Sequence, residues 1–230
     1  MSYDKFIVLE GIDGSGKTTQ FNLLIKRLKK NNISLKTLDF PQYLKPSSYF
    51  IKQYLGGKYG NLNEVGAYKT SIFYALDRFD ISLNIKNWLK QGYFILSNRY
   101  TASNLGHQGS KIKNFNQRKK FFNWLLDFEH NLLEIPKPTL NIVLHLPANI
   151  ALKLILERNK KQKRHLKKDI HELNFNYLKQ SEKVYLELKK IYPNDFEIVE
   201  CFKNNKILSV EEIHSNIWKI VKNLLKIKNG

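Results

Sequence analysis

The chain has 230 residues, 42% of them apolar, which suits one domain (residues 1–230) of ordinary size with at most a small lid. No apolar run approaches the roughly 18 residues needed to span a bilayer, and a single cysteine, Cys201, excludes both an internal disulfide framework and a cysteine-built zinc site. Thirty-nine basic residues against twenty acidic ones leave a net charge of +19, a surplus that favours anionic partners.

Met1 to Lys5 lead straight into the apolar run Phe6–Glu10, which stops at glycine as buried parallel strands do. No signal or transit peptide precedes that run, so a cytoplasmic location is expected. From Thr18 to Lys30, Leu23, Leu24 and Leu28 share one face of an amphipathic helix. Ser34 to Phe40 reads as a second strand, stopped by Pro41. Glu64 to Lys90 repeats apolar residues at three- and four-residue intervals and predicts one helix, ended by Gly92; Tyr93 to Ser97 is the next strand. Phe115 to Leu133 is helical in pattern until Pro136 and Pro138, and Leu140 to Leu146 is strand-like. Helices are predicted over Asn149–Arg158, Leu166–Ile191 and Val210–Ile227, with a strand at Phe196–Cys201. Between Asn159 and Lys168 the apolar content drops and basic residues crowd into a mobile loop. Strands that alternate with helices of ten or more residues need crossover connections. The expected fold is therefore α/β, a three-layer α/β/α arrangement around a central five-stranded parallel sheet.

The charge is the weaker guide. Thirty-three of the basic residues are lysines spread along the whole chain, and only six are arginines, the better residues for bidentate phosphate or base contacts. General compositional drift explains such a surplus, and no dedicated nucleic-acid binding is expected.

Gly11-Ile12-Asp13-Gly14-Ser15-Gly16-Lys17-Thr18, followed by Thr19, carries the chemistry. Glycines let successive amide hydrogens curl inward around phosphate oxygens, and the following helix aims its positive end at the same anion. Lys17 would reach the terminal phosphates of a nucleoside triphosphate and Thr18 would bind its Mg²⁺. The loop follows a predicted strand and opens a predicted helix, the context such a loop requires.

Phe6 through Gln20 resembles the opening of the thymidylate kinase family, and the likeness continues at Phe40-Pro41-Gln42-Tyr43, at Tyr74-Ala-Leu-Asp-Arg78 and at Asn98-Arg99-Tyr-Thr-Ala-Ser-Asn104. These pieces occur in the family's order over about the first two-thirds of the chain, and Asp169-Ile-His-Glu172 extends the likeness further. The resemblance implies transfer of the γ-phosphoryl of ATP to dTMP, with Mg²⁺ accompanying ATP and a homodimer as the assembled form. It implies that Phe40, Pro41 and Tyr43 line the acceptor's phosphate and sugar, and that Tyr74 stacks on thymine while Arg78, four residues on and hence on the same helix face, presents two donors to its carbonyl edge. Arg99 would clamp the acceptor phosphate, Asn104 would bond the ring edge, and His107 and Gln108 would approach the sugar. Asp13 would approach the acceptor's 3′-hydroxyl. The basic stretch at about 159–172, with Lys160, Lys161, Lys163, Lys167 and Lys168, corresponds to a lid over ATP. Arg158 and Arg164 are its best candidates for stabilising the transition state, because the loop carries Gly14 and Ser15 where some relatives place an arginine.

One departure bears on the metal. Most family members have Asp-Arg where this chain has Asn98-Arg99, and that aspartate sits near magnesium. Asn98 keeps an oxygen for a metal-bound water but carries no charge. A working enzyme with weaker metal binding is the preferred reading. A kinase with shifted substrate choice, a related nucleotide or deoxynucleoside kinase, and a basic nucleotide- or nucleic-acid-binding module without turnover remain open.

Overall fold

The structure, a computed structural model, describes residues 5–161 and 174–225. Its core is a parallel sheet built from β1 (Phe6–Glu10), β2 (Leu35–Asp39), β3 (Phe94–Asn98), β4 (Leu140–His145) and β5 (Phe196–Glu200), in the order β2-β3-β1-β4-β5. Strand alternation divides β1 between two cores: Ile7 and Leu9 pack on one face of the sheet, Phe6 and Val8 on the other, all four fully buried. Both faces are covered by helices, which gives the expected three layers.

The helices are α1 (Lys17–Lys30), α2 (Tyr49–Leu55, entered through a tight turn at Pro46–Ser48), α3 (Leu62–Asp80), α4 (Ser82–Lys90), α5 (Thr101–Gly109), α6 (Phe115–Leu126), α7 (Ala148–Lys161), α8 (Phe175–Ile191) and α9 (Val210–Leu225). Asn114 and Asn174 cap α6 and α8 by accepting from the backbone amides of Gln117 and Tyr177.

Several expectations need correction. The single helix predicted over Glu64–Lys90 is broken twice, by a kink at Gly66, whose φ is +73°, and at Ile81, which parts α3 from α4. No glycine or proline marks the second break. Tertiary packing sets it: Ile85 and Leu89 of α4 pack into the core cluster beneath β3, whereas α3 carries Tyr74 and Arg78 toward the cleft described below. Asn159 to Lys161 belong to α7 and not to a loop. The rest of the basic stretch, including Lys163, Arg164, Lys167 and Lys168, lies outside the described residues, as does the Asp169–Glu172 segment. Helices α2 and α5, and a two-stranded hairpin of β6 (Phe202–Lys203) with β7 (Lys206–Ile207), were not anticipated.

Helix α5 lies close against α8. A Cβ built on Gly106 would stand 2.6 Å from Cζ of Tyr185, whose hydroxyl donates to the buried Glu10 carboxylate at the end of β1. The absence of a side chain at Gly106 thus sets how near α5, and the cleft residues on it, come to the sheet. Gly106→Val should cost about 1–3 kcal/mol by overpacking, read as a lower urea midpoint with an unchanged m-value; an unchanged midpoint would mean that the two helices part freely.

Candidate active site

The central strand β1 leaves the sheet at Glu10, and residues 11–16 turn back to start α1 at Lys17. Gly14 has φ +82°, and a Cβ there would stand 2.7 Å from the carbonyl oxygen of Ala151 in α7. That position has no room for a side chain, so cationic help must reach the loop from elsewhere. Arg158, one turn from the end of α7, lines the cleft over the loop together with Asp13, Gly14, Gly16, Lys17, Thr18, Thr19, Asn98 and Arg99. Gly11, Ile12 and Ser15 do not line it: Ile12 packs in the core, Ser15 is buried with no partner for its Oγ among the described residues, and Gly11 turns its carbonyl to Lys17.

Lys17 is the only buried lysine among the described residues. Its Nζ donates to the carbonyl oxygens of Gly11 at 2.9 Å and Ile12 at 2.8 Å. Burial, reinforced by the Arg99 guanidinium, pulls its pKa down to about 7 against the opposing carboxylates of Asp13 and Glu10. Lys111 is the other described lysine whose pKa burial lowers to about 7, and its Nζ donates to the Tyr54 hydroxyl at 2.8 Å.

On the other side of Asp13 and Arg99 opens a second cleft of about 280 Å³, close to the small end of ligand sites at roughly 300 Å³. It gathers every residue assigned to the acceptor: Asp13, Phe40, Pro41, Tyr43, Tyr74, Arg78, Arg99, Asn104, His107 and Gln108. Phe40 also has a packing role, edge-on to Tyr100 with ring centroids 5.5 Å apart.

Arg78 differs from its expected presentation. It is buried and bidentate to Glu129, with Nε donating to Oε2 at 2.7 Å and Nη2 to Oε1 at 2.5 Å. Glu129 sits fully buried in a wide turn, Asp127–Leu132, that continues α6, and it also accepts from Thr101 Oγ1 and from Asn104 Nδ2. The clamp leaves Arg78 with one uncommitted nitrogen, Nη1, among the described residues, and not two. Asn104 gives its amide hydrogens to Glu129 and to the Ser71 carbonyl, which leaves Oδ1 as its unused acceptor among the described residues.

Arg99 stands where the clefts meet, and it shares that boundary only with Asp13. Its φ of +66° is left-handed, a conformation costing an arginine on the order of 1 kcal/mol. Bonds on both sides hold it, the amide donating to Leu9 O at 2.9 Å and the carbonyl accepting from Ser97 Oγ at 2.6 Å. Nη2 pairs with the Asp13 carboxylate and Nη1 donates to His107 Nε2 at 2.9 Å. A guanidinium only donates, so His107 Nε2 accepts, and the ring's proton is on Nδ1, 3.1 Å from the Tyr177 hydroxyl. His107 therefore belongs to a buried chain of contacts on α5, not to a solvated loop. Burial opposes the charge of Arg99 most strongly, but Asp13 together with Tyr185, Glu10 and Tyr177 outweighs it and raises the pKa above the ordinary arginine value.

Asn98, at the end of β3, is buried. Its Nδ2 donates to Asp39 Oδ1 at 2.9 Å, and its Oδ1 has no hydrogen-bond partner among the described residues.

Residues 9–217 match the family model described as thymidylate kinase. The chain belongs to the thymidylate kinase family. It is 27% identical to a thymidylate kinase of Plasmodium falciparum over 97% of this chain and 91% of that protein. It is 31% identical to a probable thymidylate kinase of Thermococcus onnurineus over 96% and 98% of the two chains, and 27% identical to a Buchnera aphidicola thymidylate kinase over 98% of each.

Four residues of this thymidylate kinase site escaped the sequence reading: Glu10, Asp39, Glu129 and Tyr177. Glu10 accepts from the Tyr100 amide, Ser103 Oγ and Tyr185 Oη, and burial raises its pKa in spite of them. A sequence signal existed for Glu129, an acid four residues after Leu125 and seven after Phe122 on the buried face of a helix. Removing it strands the Arg78 charge. Glu129→Ala should lose about 3–5 kcal/mol in denaturant unfolding, and the apolar pair Arg78→Met/Glu129→Leu should recover most of it. A single variant within 1 kcal/mol of wild type would mean that the clamp is not what holds Arg78.

Proposed function

We propose that this chain transfers the γ-phosphoryl of ATP to dTMP, yielding dTDP and ADP. The observation that carries the acceptor assignment is the pairing left over once Glu129 is satisfied: one donor, Arg78 Nη1, and one acceptor, Asn104 Oδ1, on the cleft that also holds the Tyr74 ring. Thymine offers the complement, a carbonyl acceptor beside an N–H donor. Cytosine offers an amino donor beside a ring-nitrogen acceptor, which would set donor against donor and acceptor against acceptor. Tyr74 would stack on the base, and Tyr43 and Gln108 would meet the sugar and phosphate.

The triphosphate lies in the first cleft, cupped by Asp13, Gly14, Gly16 and the start of α1, with Lys17 turning from its carbonyl partners to the phosphates. A phosphate oxygen of dTMP attacks the γ-phosphorus in line; the new P–O bond forms as the bond to the β-phosphate oxygen breaks, and its electron pair leaves with ADP. The acceptor oxygen is already anionic, so no protein nucleophile is needed. Arg99, between the clefts, exchanges Asp13 for phosphate oxygens and neutralises the charge that builds there, which releases Asp13 toward the 3′-hydroxyl. Arg158 approaches from α7; Arg164, outside the described residues, is the second cation proposed for the lid.

The residues present fit a magnesium ion carried by ATP. Among the described residues no cluster of His, Cys, Asp and Glu could hold a metal alone, which suits an ion that keeps its waters and phosphate ligands. Thr18 Oγ1 would hold it directly and the orphaned Asn98 Oδ1 through water, and when bound it neutralises phosphate charge. We further propose a homodimer, supported by the exposed apolar side chains of Tyr49, Phe50, Phe79 and Leu83 on α2 to α4, and a cytoplasmic setting. No described helix is long and apolar enough to cross a membrane.

An acceptor panel read by ADP release tests the assignment. dTMP should exceed dCMP in kcat/KM by on the order of 10⁴, with dGMP and thymidine poor acceptors. Equal use of dCMP would overturn the base assignment, and absence of turnover with every acceptor would overturn the activity.

A further inference from the structure

We infer that Asp39 supplies, from the neighbouring strand, the negative charge that Asn98 does not carry, and that it acts through the Asn98 amide as a positioning residue for the metal on the donor triphosphate. The inference rests on the kinase reading above and deepens it. Strands β2 and β3 run parallel in a register that pairs Asp39 with Asn98 at their carboxyl ends, the end of an open α/β sheet at which ligands bind. The two side chains meet there, Asn98 Nδ2 donating to Asp39 Oδ1 at 2.9 Å.

That bond fixes the amide. Reversing the Asn98 side chain would set Oδ1 against a carboxylate, so the donor end stays on Asp39 and the acceptor end stays away from it. Oδ1 is then a buried oxygen without a partner among the described residues, on a side chain that lines the triphosphate cleft with Lys17 and Thr18. Leaving a buried acceptor unmatched is unfavourable, and a donor such as a metal-bound water removes that cost. A hydrogen bond to a carboxylate is charge-assisted and polarises the amide, so electron density on Oδ1 rises. Asp39 itself lines the acceptor cleft, on the other side of Asn98. The charge that the family resemblance implies at position 98 is here displaced by one strand and relayed through an amide.

The test is Mn²⁺ binding, followed by electron paramagnetic resonance, to the full chain saturated with a non-hydrolysable ATP analogue. Asp39→Asn should weaken Mn²⁺ binding about tenfold, the scale for outer-shell partners of a metal, while affinity for the analogue without metal stays within about twofold. The double variant Asp39→Asn/Asn98→Asp, which moves the carboxylate to position 98, should bind Mn²⁺ as wild type does. Unchanged Mn²⁺ affinity in Asp39→Asn would overturn the inference, and so would a loss that the double variant does not recover, since a structural role is not rescued by moving the charge. Should Asp39→Asn alone fail to fold, the double variant decides: wild-type Mn²⁺ affinity upholds the relay and weaker binding refutes it. Failure of the dTMP reading is separate, because it appears in the acceptor panel and leaves this metal measurement unaffected.

Discussion

The contact between Arg99 and Asp13 is the constraint around which the rest is arranged. Two half-buried charges face each other where two clefts join, and each charge belongs to a backbone that has little freedom. Asp13 sits inside a loop whose neighbour Gly14 is pressed against α7. Arg99 sits in a left-handed conformation at the end of β3, tied to β1 through Leu9. The carboxylate occupies the place that anionic phosphate oxygens would otherwise take beside the guanidinium. The arginine is thereby held charged and aimed, its desolvation outweighed by Asp13 together with Tyr185, Glu10 and Tyr177. Preorganisation of this kind suits phosphoryl transfer, in which the protein contributes position and charge and no covalent step.

Arginine placement separates function from composition. Of the six arginines in the chain, Arg78, Arg99 and Arg158 line the two clefts. Arg118 fastens α6 to α8 through Glu187, and Arg27 lies over the Trp218 ring at 4.5 Å. The thirty-three lysines, by contrast, bury only Lys17 among the described residues. The large net charge is thus mostly a solvated coat, whereas the clefts hold a few cations, of which Lys17 is held by carbonyls and Arg78 and Arg99 by carboxylates.

How much of this was legible in the sequence depended on whether a feature is local. The five sheet strands are readable within a residue or two: β1, β3 and β4 are short apolar runs beside a glycine or proline, β2 stops just before Pro41, and β5 follows the Pro193-Asn194 turn. The phosphate loop was readable because its chemistry and its context lie within ten consecutive residues. Helix α5 was missed: Thr101-Ala-Ser-Asn-Leu-Gly-His-Gln-Gly is weak in helix formers, and its fold is imposed by packing against α8 at Gly106. The break at Ile81 has no local marker either. In the site, each escaped residue acts through a partner distant in sequence, Asp39 on Asn98, Glu129 on Arg78, Glu10 on Tyr185, Tyr177 on His107. Asp39 directly precedes the Phe40-Pro41 pair that was read, yet its significance emerges only from the register of β2 against β3.

The most direct test of the account is a crystal structure of the chain with a bisubstrate analogue that joins adenosine to thymidine through a chain of phosphates. The account predicts that the phosphate chain crosses between the clefts over Asp13 and Arg99, with the Arg99 guanidinium released from Asp13 and bonded to phosphate oxygens, and with the thymine edge on Arg78 Nη1 and Asn104 Oδ1. A complex in which Arg99 stays on Asp13 while the phosphates pass elsewhere would contradict it.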